Sequence, residues 1–166
     1  MKYYFIALLL LISGALFSIL GHDFQQSYSS NSYDFSYDGL SMLNTELSFL
    51  DIFLNNLFVA FLLSVLGFLT GGLLSSIILF WNGYLLGIIY SVAFYTLPLS
   101  DIIYSSKHVP TELYALIAFS TIGFQGFRFC RDLIVHGKIS KQYIPGIKKV
   151  LLPTILLFIS SILEVL

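Results

Sequence analysis

Between Leu50 and Leu97 the chain carries one charged side chain, Asp51, and is otherwise almost continuously apolar. As a single helix this stretch would run roughly 70 Å at 1.5 Å per residue. That is more than twice a hydrocarbon core of about 30 Å. The segment must therefore enter a membrane and fold back. The reversal is expected at Thr70-Gly71-Gly72, because glycine admits the backbone angles of a tight return. Spans near 50–70 and 73–97 follow, the second closed by Pro98. A re-entrant hairpin over 50–97 is the alternative. Full spans are preferred, since each half is long enough to cross.

Three further apolar runs fit the same solvent. Residues 3–20 are free of charge and follow Lys2. A secretory signal peptide has a similar start, but no small-x-small cleavage site follows, and a retained anchor is the preferred reading. Pro110 suits the first turn of a helix over 110–129, where its missing N–H costs nothing. A short span over 150–166 has Pro153 in its first turn. Charged residues make up only 10% of the chain and apolar residues 57%. Soluble domains carry about a quarter charged residues, so this chain could not clothe a water-facing surface. The expected fold is all-α: a polytopic bundle of about five transmembrane helices forming a single integral membrane domain over 1–166.

Charge sets the expected orientation. Six of the eight lysines and arginines, Arg128, Arg131, Lys138, Lys141, Lys148 and Lys149, lie between Arg128 and Lys149. The basic loop 130–149 is therefore expected in the cytoplasm, together with the N-terminus. The loop 21–48 holds Asp23, Asp34, Asp38 and Glu46 with no lysine or arginine, and is expected outside. Its aromatics, among them Tyr28, Tyr33 and Phe35, suit a membrane–water interface. It reads as a connecting loop on the surface, or as a docking surface for a partner. Three spans separate the two loops, which places them on opposite faces as required.

Helices in lipid associate by close packing and hydrogen bonds. Gly67 with Gly71, and Gly83 with Gly87, both read GxxxG; Gly72, Gly123 and Gly126 add further small positions. A tight helical hairpin or a homo-oligomer is expected from them. Asn82 falls near mid-membrane, where its amide needs a partner. An interhelical hydrogen bond is the expected use, and a place on a substrate path the alternative. Asn56 is a second polar residue inside a span. His108 and Glu112 stand one helical turn apart if the helix reaches back to His108. Glu112 would then be a helix-start charge favoured by the dipole, or part of a functional polar site. A metal would need a third ligand, for which Asp101 is the nearby candidate; no metal is expected. Asp51 is expected at the interface. Cys130 is a lone thiol, which excludes an internal disulfide, and reads as an apolar packing residue. Zinc-protease, nucleophile-elbow and phosphate-loop motifs are missing from the sequence, so no catalytic residue and no cofactor is expected. No basic stripe points to nucleic acid.

Residues 53–126 resemble the stage II sporulation protein M family of bacterial membrane proteins. The resemblance rests on Phe53-Leu54-Asn55-Asn56, Gly67, Gly71-Gly72, Asn82-Gly83 with Gly87, and His108-Val109-Pro110-Thr111-Glu112 followed by Ala115 and Gly123. Val109 stands where the family carries glycine. The resemblance implies a multi-pass protein of the bacterial cytoplasmic membrane, with the family's histidine and glutamate at His108 and Glu112. It also implies a non-enzymatic role. The namesake is a membrane scaffold that gathers cell-wall hydrolases during engulfment, and compact members occur with circular bacteriocin systems. The first expectation is thus a scaffold or assembly subunit, with membrane lipids and other membrane or cell-wall proteins as partners. A peptide or small-molecule export or immunity component working with a separate ATPase is the second. An intramembrane enzyme using Glu112 and His108 is the third.

Overall fold

The computed structural model describes residues 2–21, 48–137, 143 and 145–165. The acidic loop, apart from its two end residues, and Lys138 and Lys141 of the basic loop lie outside them. All regular structure among the described residues is helical. The helices are α1 (Lys2–Gly21), α2 (Phe49–Leu69), α3 (Leu73–Thr96), α4 (Leu99–Ser105), α5 (Val109–His136) and α6 (Ile147–Val165). Four of them, α1, α2, α3 and α5, are long and apolar enough to cross a membrane. The chain is an all-α polytopic membrane protein. Where a fifth crossing is expected, α6 is a helix of 19 residues. Lys148 and Lys149 at its start and Glu164 near its end put three charged side chains into every 18-residue stretch of it, which sets it apart from the other four. Between Pro98 and Pro110 the chain forms a short helix, α4.

Local chemistry explains the boundaries. Ser48 and Asp51 form a capping box at the start of α2, so Asp51 caps the helix at the mouth of this span. The return after α2 runs through Gly71 and Gly72, at φ 64° and 90°. Their N–H groups close the helix end onto Phe68 and Gly67, at 3.2 and 2.7 Å. Leu97 is extended, as the residue before Pro98 must be. Pro110 sits in the first turn of α5 and Gly137, at φ 65°, ends it.

α5 is the central pillar. From Ala115 to Gly126 every residue but Ile117 and Gln125 is buried. Such a helix is hidden on all sides by its neighbours. α1 packs along α3 through one face each: Ala7, Leu11, Gly14 and Ser18 against Leu79, Gly83 and Gly87. Phe68 of α2 meets Phe129 of α5 at 5.2 Å, while Phe49 and Phe53 meet Phe158 of α6 at 5.2 and 5.5 Å. α2 therefore runs along the height of the bundle, from the end of α6 to the end of α5. The Arg128 guanidinium lies 5.6 Å over the Tyr3 ring, which puts the start of α1 at the same end as the basic residues.

Candidate functional site

At the opposite end, α5 begins. His108 has helical backbone angles, φ −83° and ψ −26°, and its carbonyl accepts the Glu112 N–H at 3.2 Å. The two family positions are thus one turn apart. Val109 is already helical, so this junction needs no glycine. The same carbonyl accepts the Thr111 hydroxyl at 2.6 Å and the Ser160 hydroxyl of α6 at 3.1 Å. The His108 Nδ1 atom is buried with no hydrogen-bond partner among the described residues. Glu112 is half-buried, and Glu164 near the end of α6 is close enough for their charges to act on each other. Like charges at short range repel, the more so away from bulk water. Ser160 and Glu164 carried no signal in the sequence. They lie about fifty residues from His108 in the chain, and only packing brings them together.

The remaining candidates are dispersed. Asp101 is exposed on α4 and accepts the Ser100 hydroxyl at 3.0 Å. It does not complete a metal set, and no three His, Cys, Asp or Glu side chains gather among the described residues. Asn56 is buried on the core-facing side of α2. Asn82 donates to the Ile78 carbonyl of its own helix at 2.8 Å. That replaces the interhelical bond expected for it, because the carbonyl one turn back is within reach and no rearrangement is needed.

The glycines lie at contacts within the chain. A Cβ on Gly83 would run into the Leu11 backbone, and one on Gly87 would sit 2.7 Å from the Ala15 carbonyl. Gly67 and Gly123 close around Ser75, whose hydroxyl donates to the Leu63 carbonyl at 2.7 Å. That carbonyl belongs to a widened π turn, Leu62–Leu66. Gly126 lies on the Phe68 backbone and Gly72 on Phe124. Gly71 departs from the expected packing face. α2 ends at Leu69, so Gly71 serves the turn and the Gly67–Gly71 repeat is not a helical stripe.

Polar side chains inside the spans turn mainly to carbonyls of their own helix. Ser64 bonds Ala60, Thr121 bonds Ala118, and Gln125 bonds Thr121, at 2.7, 2.7 and 3.2 Å. Ser75 and Ser160 instead stitch one helix to another.

The stage II sporulation protein M family matches residues 4–166, nearly the whole chain and well beyond the stretch that carries the motif resemblance. No curated protein and no solved structure matched. The chain, with its His108-to-Glu112 segment opening the central helix and Asn82-Gly83 inside α3, belongs to the stage II sporulation protein M family.

Proposed function

We propose that this protein is a non-enzymatic scaffold or assembly subunit of a complex in the bacterial cytoplasmic membrane. The observation that carries the reading is the use of its polar groups. Side chains such as Ser64, Asn82, Thr121 and Gln125 are satisfied by the backbone of their own helices. A conduit needs such groups turned inward along a continuous path, with water or a substrate as their partners. Here they leave the helix faces free for main-chain contact, which gives a rigid body with few moving parts. Membership of the sporulation protein M family supports the same role. In this reading the basic end faces the cytoplasm and the acidic loop faces outward, where it docks cell-wall or membrane proteins.

The test is photo-crosslinking in native membranes, from probes placed in the loop 22–47 and at Asp101. Discrete protein adducts at either place support a scaffold. Movement of a peptide by the purified protein with an ATPase, in sealed vesicles, would replace it with the export reading. The half-buried Glu112, whose charge feels that of Glu164, is the feature that export reading would draw on.

A further inference from the structure

A cleft of about 400 Å³ opens between the start of α1, the start of α6 and one side of α5. Its upper wall holds Tyr114, Ala118 and Leu152, and its lower part holds Gln125, Lys148 and Lys149. Tyr3 and Gln125 also line a second opening of about 360 Å³, which reaches Arg128. The two openings adjoin at Tyr3 and Gln125, and together they extend along α5 from Tyr114 to Arg128, roughly 20 Å at 1.5 Å per residue. This groove is apolar toward the middle of the membrane and cationic at the end.

Arg128, Lys148 and Lys149 make no ion pair among the described residues. Among the described residues the one carboxylate at this end, Asp132, is held by Arg131 at 3.0 Å and by the Tyr143 hydroxyl at 2.7 Å. From Leu133 to Leu163 the sequence contains no Asp or Glu. Arg128 lies over the Tyr3 ring at 5.6 Å, which fixes its guanidinium beside the groove. Concentrated positive charge, set at the membrane surface and continuous with an apolar slot, fits one amphiphile. Its phosphate lies among the cations and its acyl chain runs upward along Ala118 and Leu152. Basic pockets between transmembrane helices bind acidic headgroups in this way, and a guanidinium holds phosphate through paired hydrogen bonds.

We propose that this groove is a binding site for an anionic phospholipid of the cytoplasmic leaflet, its phosphate held by Arg128, Lys148 and Lys149. The inference does not depend on the scaffold reading. The test uses the full-length protein, purified in a neutral detergent, with phosphatidylglycerol, phosphatidylcholine and inorganic phosphate as separate probes. Native mass spectrometry should show phosphatidylglycerol retained at least tenfold better than phosphatidylcholine, and phosphatidylglycerol should raise the melting temperature. The triple variant Arg128→Gln, Lys148→Gln, Lys149→Gln should lose that preference. The variant Lys148→Arg, Lys149→Arg should keep it, which separates lost charge from lost fold. Lys107→Gln, a cation at the other end, should also leave it intact. Equal retention of both lipids by the native protein overturns the proposal. So does a preference for phosphatidylglycerol that survives the triple variant. Stabilisation by inorganic phosphate that matches phosphatidylglycerol would show a free-anion site and sink the lipid assignment.

Discussion

The Ser160 hydroxyl donates to the His108 carbonyl across 3.1 Å, tying the far end of α6 to the first turn of α5. His108 O already serves that turn, so this bond adds a lateral tie without leaving an orphan when it is lost. Ser160→Ala should lower stability by only about 0.6 kcal/mol, a typical value for such a bond in a membrane. Ser75→Ala should cost more, because Ser75 donates inside the glycine-lined contact of α2, α3 and α5 and its removal leaves a void. Thermal unfolding in detergent would rank the two, and equal losses would contradict this.

Gly83→Leu should separate α1 from α3. Its side chain would occupy the space of the Leu11 backbone, which cannot swing aside as a flexible side chain can. Overpacking of this kind costs about 1–3 kcal/mol and here should lie at the upper end. Gly21→Ala is the matched control, since nothing lies within 4 Å of the added carbon. A Gly83→Leu protein with native melting temperature and native size in detergent would refute the main-chain contact.

Asn82→Leu should be close to neutral for stability. The amide bonds its own helix, and removing an intrahelical side-chain bond from a partly buried site should change stability by less than about 1 kcal/mol. A loss of several kcal/mol in the same melting assay would show that the amide has another partner.

Glu112→Gln should leave membrane insertion intact and keep stability within about 0.5 kcal/mol, or raise it slightly, because it removes a charge that is partly withdrawn from water and also feels Glu164. Partner recovery from native membranes should fall. Glu164→Gln should relieve the same repulsion, so the double variant should not sum the two single effects. Unchanged partner recovery in Glu112→Gln would reduce Glu112 to a helix-start residue.

Reporter fusions should place residues 22–47 and Lys138 in opposite compartments, with Lys138 in the cytoplasm. The same compartment for both would reverse the layout.

Much of the architecture was readable from hydropathy and glycine. The return at Gly71-Gly72 and the end of α3 before Pro98 follow from backbone sterics that act within a few residues. The extra turns of α5 beyond Phe129 were not readable, because Arg128, Arg131 and Asp132 look like loop composition yet remain helical where the helix leaves the lipid. The pairing of α1 with α3 was also hidden. Gly14 stands alone in its run, and only the fold shows that Gly83 and Gly87 meet α1 rather than α2. At the candidate site, His108 and Glu112 were legible by spacing. Ser160, Glu164 and the groove beside Gln125 depend on how α6 returns, which no local pattern encodes.

α5 is unbroken over 28 residues, with no proline past its first turn. At 1.5 Å per residue that is roughly 42 Å, longer than the hydrocarbon layer it crosses. Its two ends therefore answer to different environments but cannot move separately. A tilt imposed on the His108 turn by something bound at that face must swing the Arg128-to-His136 segment at the opposite face by a comparable angle. The central helix is in that sense a lever through the bilayer, with its fulcrum at the crowded stretch from Ala115 to Gly126.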